Sequence, residues 1–174
     1  AAPIGIHVKP NGTTVVVKVE TNDENGTLVV EQYMTSFFRG VSDGEGTGDA
    51  APAHKLEAAT KAADPVGSVT QHLDADQTYR YADASGDRMP MHLDEEMAKS
   101  VGLPGIIIHG LCTMAFTSWA AVQELCGGDP TRLKRLVVRF SRPVLPGQDI
   151  TTTFWNAEGT PHGPAFGFET RNGE

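Results

Sequence analysis

The sequence predicts an α+β protein, and three observations carry that reading. Apolar and polar residues alternate with period two near both ends of the chain, at 13–38 and at 149–171. One long helical pattern lies between them, from His109–Gly110 to about Leu125. The hairpin layout occurs twice but the long helix once, as if the tail of one α+β unit preceded most of another.

The bounds are consistent with this. At 174 residues, 39% of them hydrophobic, the chain can build one solid core and scarcely two. A net charge of -8 with no long basic run excludes broad attraction to phosphate backbones or anionic membranes, so no nucleic-acid partner is expected. No apolar stretch approaches the roughly 20 residues that span a bilayer, and the first residues lack the basic start and apolar run of a signal peptide. A soluble, cytoplasmic protein without a membrane partner is the expectation. Cys112 and Cys126 fall on one predicted helix, too far apart along it to bridge, and read as reduced core thiols.

In the first hairpin, Val15, Val17 and Val19 alternate with Lys18 and Glu20, then Asn25–Gly26 turns the chain before Leu28 and Val30. Asn11-Gly12-Thr13 and Asn25-Gly26-Thr27 match a glycosylation acceptor, but Asn-Gly is also a tight-turn dipeptide, and they are read as turns. Residues 41–68, rich in Gly, Ala, Asp and Pro with a weak helical patch near Leu56, read as a linker. A structureless loop that long is unusual inside a compact domain, so it is expected to join two units.

The second unit begins near Val69, with a short strand or turn at Tyr79–Tyr81 and a loop through Gly86 and Pro90. Asp94 is placed to cap a short helix ending at Gly102, with Glu95 and Glu96 in its first turn where the helix dipole favours acids. The long helix should bury Leu111, Met114, Ala115, Ser118, Val122 and Leu125 on one face. A strand is expected over 134–145, where Leu136, Val138 and Phe140 alternate with Val137, Arg139 and Ser141. Strands at 149–157 and 165–171 complete the sheet. The last strand stops without a partner for its edge, and the pattern predicts a chain incomplete at both ends.

The stretch from Tyr81 to Asp94 carries the chemistry. Asp87 follows a glycine and His92 a proline-containing bend, so a loop can aim both at one spot and hold a water between them. Hydrating a double bond conjugated to a thioester needs a base for the water, an acid for the α-carbon and stabilisation of the enolate oxygen. Asp87 and His92 can fill the first two roles, in either order. The backbone N–H of Gly110, at a helix start, can fill the third. Each residue also has a plain structural reading: Asp87 as a turn cap, His92 as a satisfied surface histidine, His109 as an orienter of the loop before the helix, and Tyr81 and Asp83 as packing.

The full string decides between these readings. Ser85-Gly86-Asp87-Arg88-Met89-Pro90-Met91-His92 resembles the signature of the MaoC-like (R)-specific enoyl-CoA hydratases. Leu103 to Thr113, containing Ile108-His109-Gly110-Leu111-Cys112, and Leu136 to Gly147 resemble that family's approach to its central helix and the strand and turn after it. The resemblance covers about residues 69–171. It implies an α+β hot-dog fold, a curved antiparallel sheet around one long central helix, and syn addition of water to trans-2-enoyl-CoA giving (R)-3-hydroxyacyl-CoA.

By the same resemblance Asp87 and His92 activate the water, Gly110 gives the oxyanion N–H, and Ser118, Met89 and His109 border the substrate. Met89 is a departure, since the family usually has Asn there. Residues 1–40 would be the tail of a first, non-catalytic hot-dog repeat, 41–68 the linker, and 69–174 the catalytic domain, incomplete at its C-terminus. A homodimer or an internal double hot-dog is implied.

The partner is an acyl-CoA, whose coenzyme A belongs to the substrate; no cofactor is expected, and the six scattered histidines show no metal-ligand spacing. Arg132, Lys134, Arg135, Arg139 and Arg142 read equally as a phosphate-binding cluster or as solvated surface charge. The competing functions are a dehydratase or thioesterase on acyl carrier protein, and a non-catalytic acyl-binding hot-dog subunit. A Cys112 nucleophile lacks a clearly paired base.

Overall fold

In a computed structural model, residues 1–53, 57–160 and 163–173 are described, and the chain divides into two compact units, residues 1–54 and 55–174. In the first unit β1 (Ala2–Lys9), β2 (Gly12–Asn22), β3 (Leu28–Arg39) and the short β4 (Thr47–Gly48) form an antiparallel sheet in the order β3-β2-β1-β4. Both Asn-Gly dipeptides lie where strands reverse. At the second, the Asp23 carboxylate accepts the Asn25 and Thr27 N–H groups at 2.9 and 2.8 Å. Gly26 there adopts φ 81°, open to glycine at no steric cost. Val16, not the Val15, Val17 and Val19 set, is the buried valine of β2, at 2% exposed.

The second unit contains α1 (Ala58–Lys61), β5 (Gly67–His72), α2 (Gln77–Ser85), α3 (Glu95–Ser100), α4 (Gly110–Cys126), β6 (Asp149–Thr160) and β7 (Gly163–Asn172). Thus the stretch read as a linker supplies β4 to the first sheet, and α1 and the start of β5 to the second unit. Leu56, the centre of the weak helical patch, lies outside the described residues. The second sheet is antiparallel, ordered β5-β6-β7. Ile150, Thr152 and Phe154 on β6 are fully buried on the face toward α4. Leu73, Ile108 and Cys112 pack with Ile150, and Ala120 and Ala121 with Phe154. Small residues let the helix sit close to the sheet, Cys112 over Ile150 and Ala120 and Ala121 over Phe154. Between them runs a buried hydroxyl chain: Thr170 Oγ1 lies 2.9 Å from both Thr117 Oγ1 on α4 and Thr152 Oγ1 on β6.

The structure corrects three expectations. Tyr79–Tyr81 lies inside helix α2, whose buried residues Thr78 and Ala82 are one helical turn apart. The segment 134–145 forms no strand among the described residues; alternation records amphipathy, but a strand also needs a hydrogen-bonded neighbour, and Pro143 and Pro146 cannot donate. What holds its end instead is the Val144 carbonyl, which accepts the Ile108 N–H at 2.8 Å. Finally, α4 buries Cys112, Thr117, Ala120, Ala121 and Cys126, whereas Leu111 is 62% exposed and Ala115 is exposed too. The helix is apolar nearly all round, so residue size, which sets how closely the sheet can approach, decides the face. Cys112 and Cys126 are both free and buried, and Asp94 caps α3 by accepting the Met97 N–H at 2.9 Å. No helix among the described residues is long and apolar enough to cross a membrane.

Replacing Thr152 by Val should lower the unfolding free energy by about 1–2 kcal/mol, because a buried hydroxyl loses its partner. Thr153→Val, one residue on and facing outward, should change it by less than about 0.5 kcal/mol. Urea titrations of the two variants give the comparison, and equal losses would contradict the buried hydroxyl chain.

Candidate active site

The site lies in the second unit, where α2 ends, a short loop turns, and α4 begins. Gly86 closes α2 in the left-handed conformation at φ 76°, with its N–H donating to the Ala82 carbonyl. That reversal delivers Asp87. Its backbone N–H donates to Ser85 Oγ at 3.2 Å, and Oδ1 accepts the Met89 N–H at 3.2 Å. Arg88 pairs with Asp83 on the preceding helix. Pro90 then opens a 3-10 turn, Pro90–His92, with its ring at a position where no N–H is needed, and the turn swings His92 inward to 8% exposed.

Two histidines meet behind this loop. The His109 ring is 1% exposed and stacks on that of His92, with centroids 3.8 Å apart and planes at 23°. Tyr81 lies at 4.9 Å on a tilt. His92 Nδ1 stands 2.8 Å from the Ile107 carbonyl. A carbonyl only accepts, so Nδ1 carries a hydrogen and the neutral ring offers its lone pair at Nε2. His109 Nε2 stands 2.9 Å from the Asp87 carbonyl and Nδ1 3.2 Å from Thr78 Oγ1.

Asp87, His92 and His109 each bring one oxygen or nitrogen to within 4.8 Å of the others. Both His109 nitrogens have protein partners, which leaves the Asp87 carboxylate and His92 Nε2 as the donors able to take an added group. A two-donor set suits a water molecule better than a divalent cation that wants four or more ligands.

His109 is the residue just before α4, and Gly110 is its first residue. The N–H groups of a helix's first turn have no carbonyl within the helix to accept them and point out along the positive end of the dipole. The ring of Phe140, itself 57% exposed, lies 3.4 Å from where a Cβ of Gly110 would be. The segment leading to His109 is pinned from α3: Glu95 Oε2 accepts the Ile106 N–H at 3.0 Å, and Oε1 pairs with Lys99 at 2.9 Å. A Cβ on Gly105 would come within 3.1 Å of that carboxylate, which would have to shift to make room for it. The Ile106 N–H first, and then Lys99, hold the Glu95 carboxyl below its usual range.

Of the residues singled out from sequence, the structure therefore brings Asp87, His92 and His109 together at the head of the helix that Gly110 begins. Met89 is half exposed and meets Asp87 through its backbone N–H, not its thioether. Ser118 lies two turns along α4, with its hydroxyl donating to the Ala115 carbonyl at 2.8 Å. Burial raises the Cys112 thiol above its usual range, so it is held as the weakly nucleophilic thiol. Burial first, and then the charges of Cys112 and Asp87, likewise raise the Tyr81 phenol. Arg132 donates to the Cys126 carbonyl at the end of α4 at 3.0 Å, so its role includes capping that helix. Thr78, Ile107 and Glu95 were not foreseen as parts of the site. Only Glu95 had a local signal, as an acid in a helix first turn.

A family model described as "MaoC like domain" matches residues 57–165. The chain is 32% identical over 156 residues to "Probable enoyl-CoA hydratase 2" of Dictyostelium discoideum, covering 89% of this chain and 52% of that protein. It is 34% identical over 149 residues to "Peroxisomal multifunctional enzyme type 2" of Drosophila melanogaster, covering 84% and 24%. The chain thus spans about half or less of the length of these curated relatives. Among solved structures, a MaoC-like dehydratase from Phytophthora capsici superposes with a TM-score of 0.86 at 34% identity, over 98% of this chain and 57% of that one. The fold is accordingly the α+β hot-dog.

The Glu95 latch should respond to acid. Its folded-state pKa is depressed, so its contribution is complete above the ordinary value of 4.5 and disappears as pH falls through the lower, folded value. Glu95→Gln should therefore melt below wild type at pH 7, and the gap should close as pH drops under 4.5. A gap in melting temperature that stays constant from pH 7 to pH 3 would show that the charge does not hold the segment.

Proposed function

The chain belongs to the MaoC-like domain family, and on that premise we propose that it carries the reacting groups of a reversible hydratase acting on trans-2-enoyl-CoA. The observation that supports this most directly is the approach of the Asp87, His92 and His109 donor atoms to within 4.8 Å at the head of α4.

In this reading a water sits between the Asp87 carboxylate and His92 Nε2. One of the pair takes its proton as the oxygen bonds to C3 of the enoyl thioester, and a proton is returned to C2. Negative charge that develops on the thioester oxygen meets the Gly110 N–H and the positive end of α4. Because His92 Nδ1–H is committed to the Ile107 carbonyl, Nε2 is the nitrogen that exchanges the proton. Phe140, against Gly110, bounds the space left for the thioester. Met89, Ser118 and His109 would stand at the margin of the substrate, with His109 as an orienter that does not react. Dehydration of a 3-hydroxyacyl thioester is the same reaction run backward, and a relative in Mycobacterium tuberculosis is named "3-hydroxyacyl-thioester dehydratase Y". The first unit, which has strands and no helix among its described residues, fits the tail of a first, non-catalytic repeat, as an internal double hot-dog requires.

The assay follows the loss of enoyl absorbance when the protein meets crotonyl-CoA, longer trans-2-enoyl-CoAs, and the same acyl groups on acyl carrier protein. Asp87→Asn and His92→Gln should each lower kcat by about 10²–10⁴-fold while leaving the melting temperature near that of wild type. If wild type binds acyl-CoA but hydrates no chain length on either carrier, the hydratase reading fails in favour of an acyl-binding subunit.

A further inference from the structure

The Ile107 carbonyl that receives the His92 Nδ1–H is not an isolated acceptor. In a trans peptide the C=O of one residue and the N–H of the next share a plane and point in opposite directions. The Ile107 carbonyl and the Ile108 N–H are thus two ends of one rigid unit, and the N–H end donates to the Val144 carbonyl at 2.8 Å. That carbonyl in turn shares a peptide plane with the Leu145 N–H, which donates to Gln148 Oε1 at 2.9 Å. Three hydrogen bonds, of 2.8, 2.8 and 2.9 Å, therefore run unbroken from the ring of His92 through two peptide units to one side-chain oxygen. Gln148 is held where it can end this chain. The Leu73 N–H donates to its carbonyl at 2.9 Å, and the Leu73 carbonyl accepts the Gly147 N–H at 2.7 Å, which clamps the Pro146–Gly147 turn to a fully buried residue. A backbone N–H only donates, so the amide of Gln148 must turn its oxygen toward Leu145. Asn172 Nδ2, on β7, donates to the same oxygen at 3.1 Å.

We propose that Gln148 is a positioning residue: as the last acceptor of this chain it aims the Ile107 carbonyl at His92 and keeps the ring hydrogen on Nδ1, leaving the Nε2 lone pair for the water beside Asp87. This rests on the hydratase reading of that pair. Without Gln148 Oε1 the Leu145 N–H loses its acceptor, and its peptide unit turns to find another. The Val144 carbonyl turns with it, because the two groups are one plane. The Ile108 N–H then loses its partner, and the same argument carries the disturbance to the Ile107 carbonyl. Each donated N–H also polarises the carbonyl at the far end of its unit, so the chain makes Ile107 a stronger acceptor for Nδ1–H than a lone carbonyl. Gln148 acts without touching any reacting atom.

Gln148→Met keeps the length of the side chain and removes the oxygen, and Gln148→Asn keeps the amide but withdraws it by one methylene. Gln148→Glu keeps an acceptor in place. The methionine and asparagine variants should each lose about 5- to 30-fold in kcat, the worth of one hydrogen bond in the chain, with KM for enoyl-CoA within about twofold of wild type. Long-range proton–nitrogen NMR of histidine-labelled protein should show the His92 hydrogen on Nδ1 in wild type and a mixture with the Nε2–H form in these two variants. Glutamate should return both readouts to wild type.

A wild-type His92 with its hydrogen on Nε2 overturns the inference. So does a folded methionine or asparagine variant that keeps either the wild-type kcat or an unmixed Nδ1–H ring, and so does a glutamate variant that behaves like methionine. If the methionine variant does not fold, the asparagine variant and the wild-type ring decide. If wild type itself is inert, the hydratase reading is what fails, and the nitrogen resonances of the four proteins still decide whether Gln148 sets the tautomer.

Discussion

The second unit depends on burying one imidazole with both of its nitrogens satisfied. An interior ring that left either nitrogen without a partner would lose about 1–3 kcal/mol, a large part of what a domain of this size has to spare. At 1% exposed, His109 meets that constraint by drawing in two segments distant in sequence, α2 through Thr78 and the loop through the Asp87 carbonyl. Its own backbone ends at the first turn of α4, so the same ring that secures the loop also fixes where the helix's free N–H groups emerge. Stacking against His92 adds the third side. The candidate site is therefore less an ornament on the fold than the way this part of the fold satisfies its buried polar atoms.

What was legible in the sequence follows from which forces are local. The turn at Asn25–Gly26, the Asp94 cap and the limits of α4 depend on residues within a few positions of one another, and all three are found as read. The helix at 77–85 was missed because its aromatic pair, Tyr79 and Tyr81, outweighed a left-handed stop at Gly86 that is visible only once the helix is assumed. The segment 134–145 was over-read, because alternation reports two faces and says nothing of a neighbour. On α4 helical spacing places Leu111, Met114, Ala115, Ser118, Val122 and Leu125 on one face, whereas the sheet selects Cys112 against Ile150 and Ala120 and Ala121 against Phe154, because small side chains let the sheet approach.

The site was legible as a string and illegible as a network. Asp87, His92 and Gly110 could be picked out because a carboxylate, an imidazole and a helix start are the tools of the reaction. Their supports are a carbonyl at Ile107, a hydroxyl at Thr78 and a carboxylate at Glu95, groups that every protein has in abundance and that acquire meaning only through long-range contact. Backbone partners in particular leave no trace in residue identity. The same holds at position 89, where the amide that reaches Asp87 is common to all residues but proline, so methionine can stand there without loss of that bond.

This division of labour explains how the exposed and the buried halves of the pair can differ so much. Asp87 is exposed, with its backbone held by His109 and Ser85 and its carboxylate by the Met89 N–H alone, so that carboxylate can follow a water or a substrate as it enters. His92 is buried, with its tautomer imposed by Ile107 and its plane by His109. In the proposed reaction a proton exchanged at His92 Nε2 would therefore leave from a fixed point, while the carboxylate adapts to where it must go.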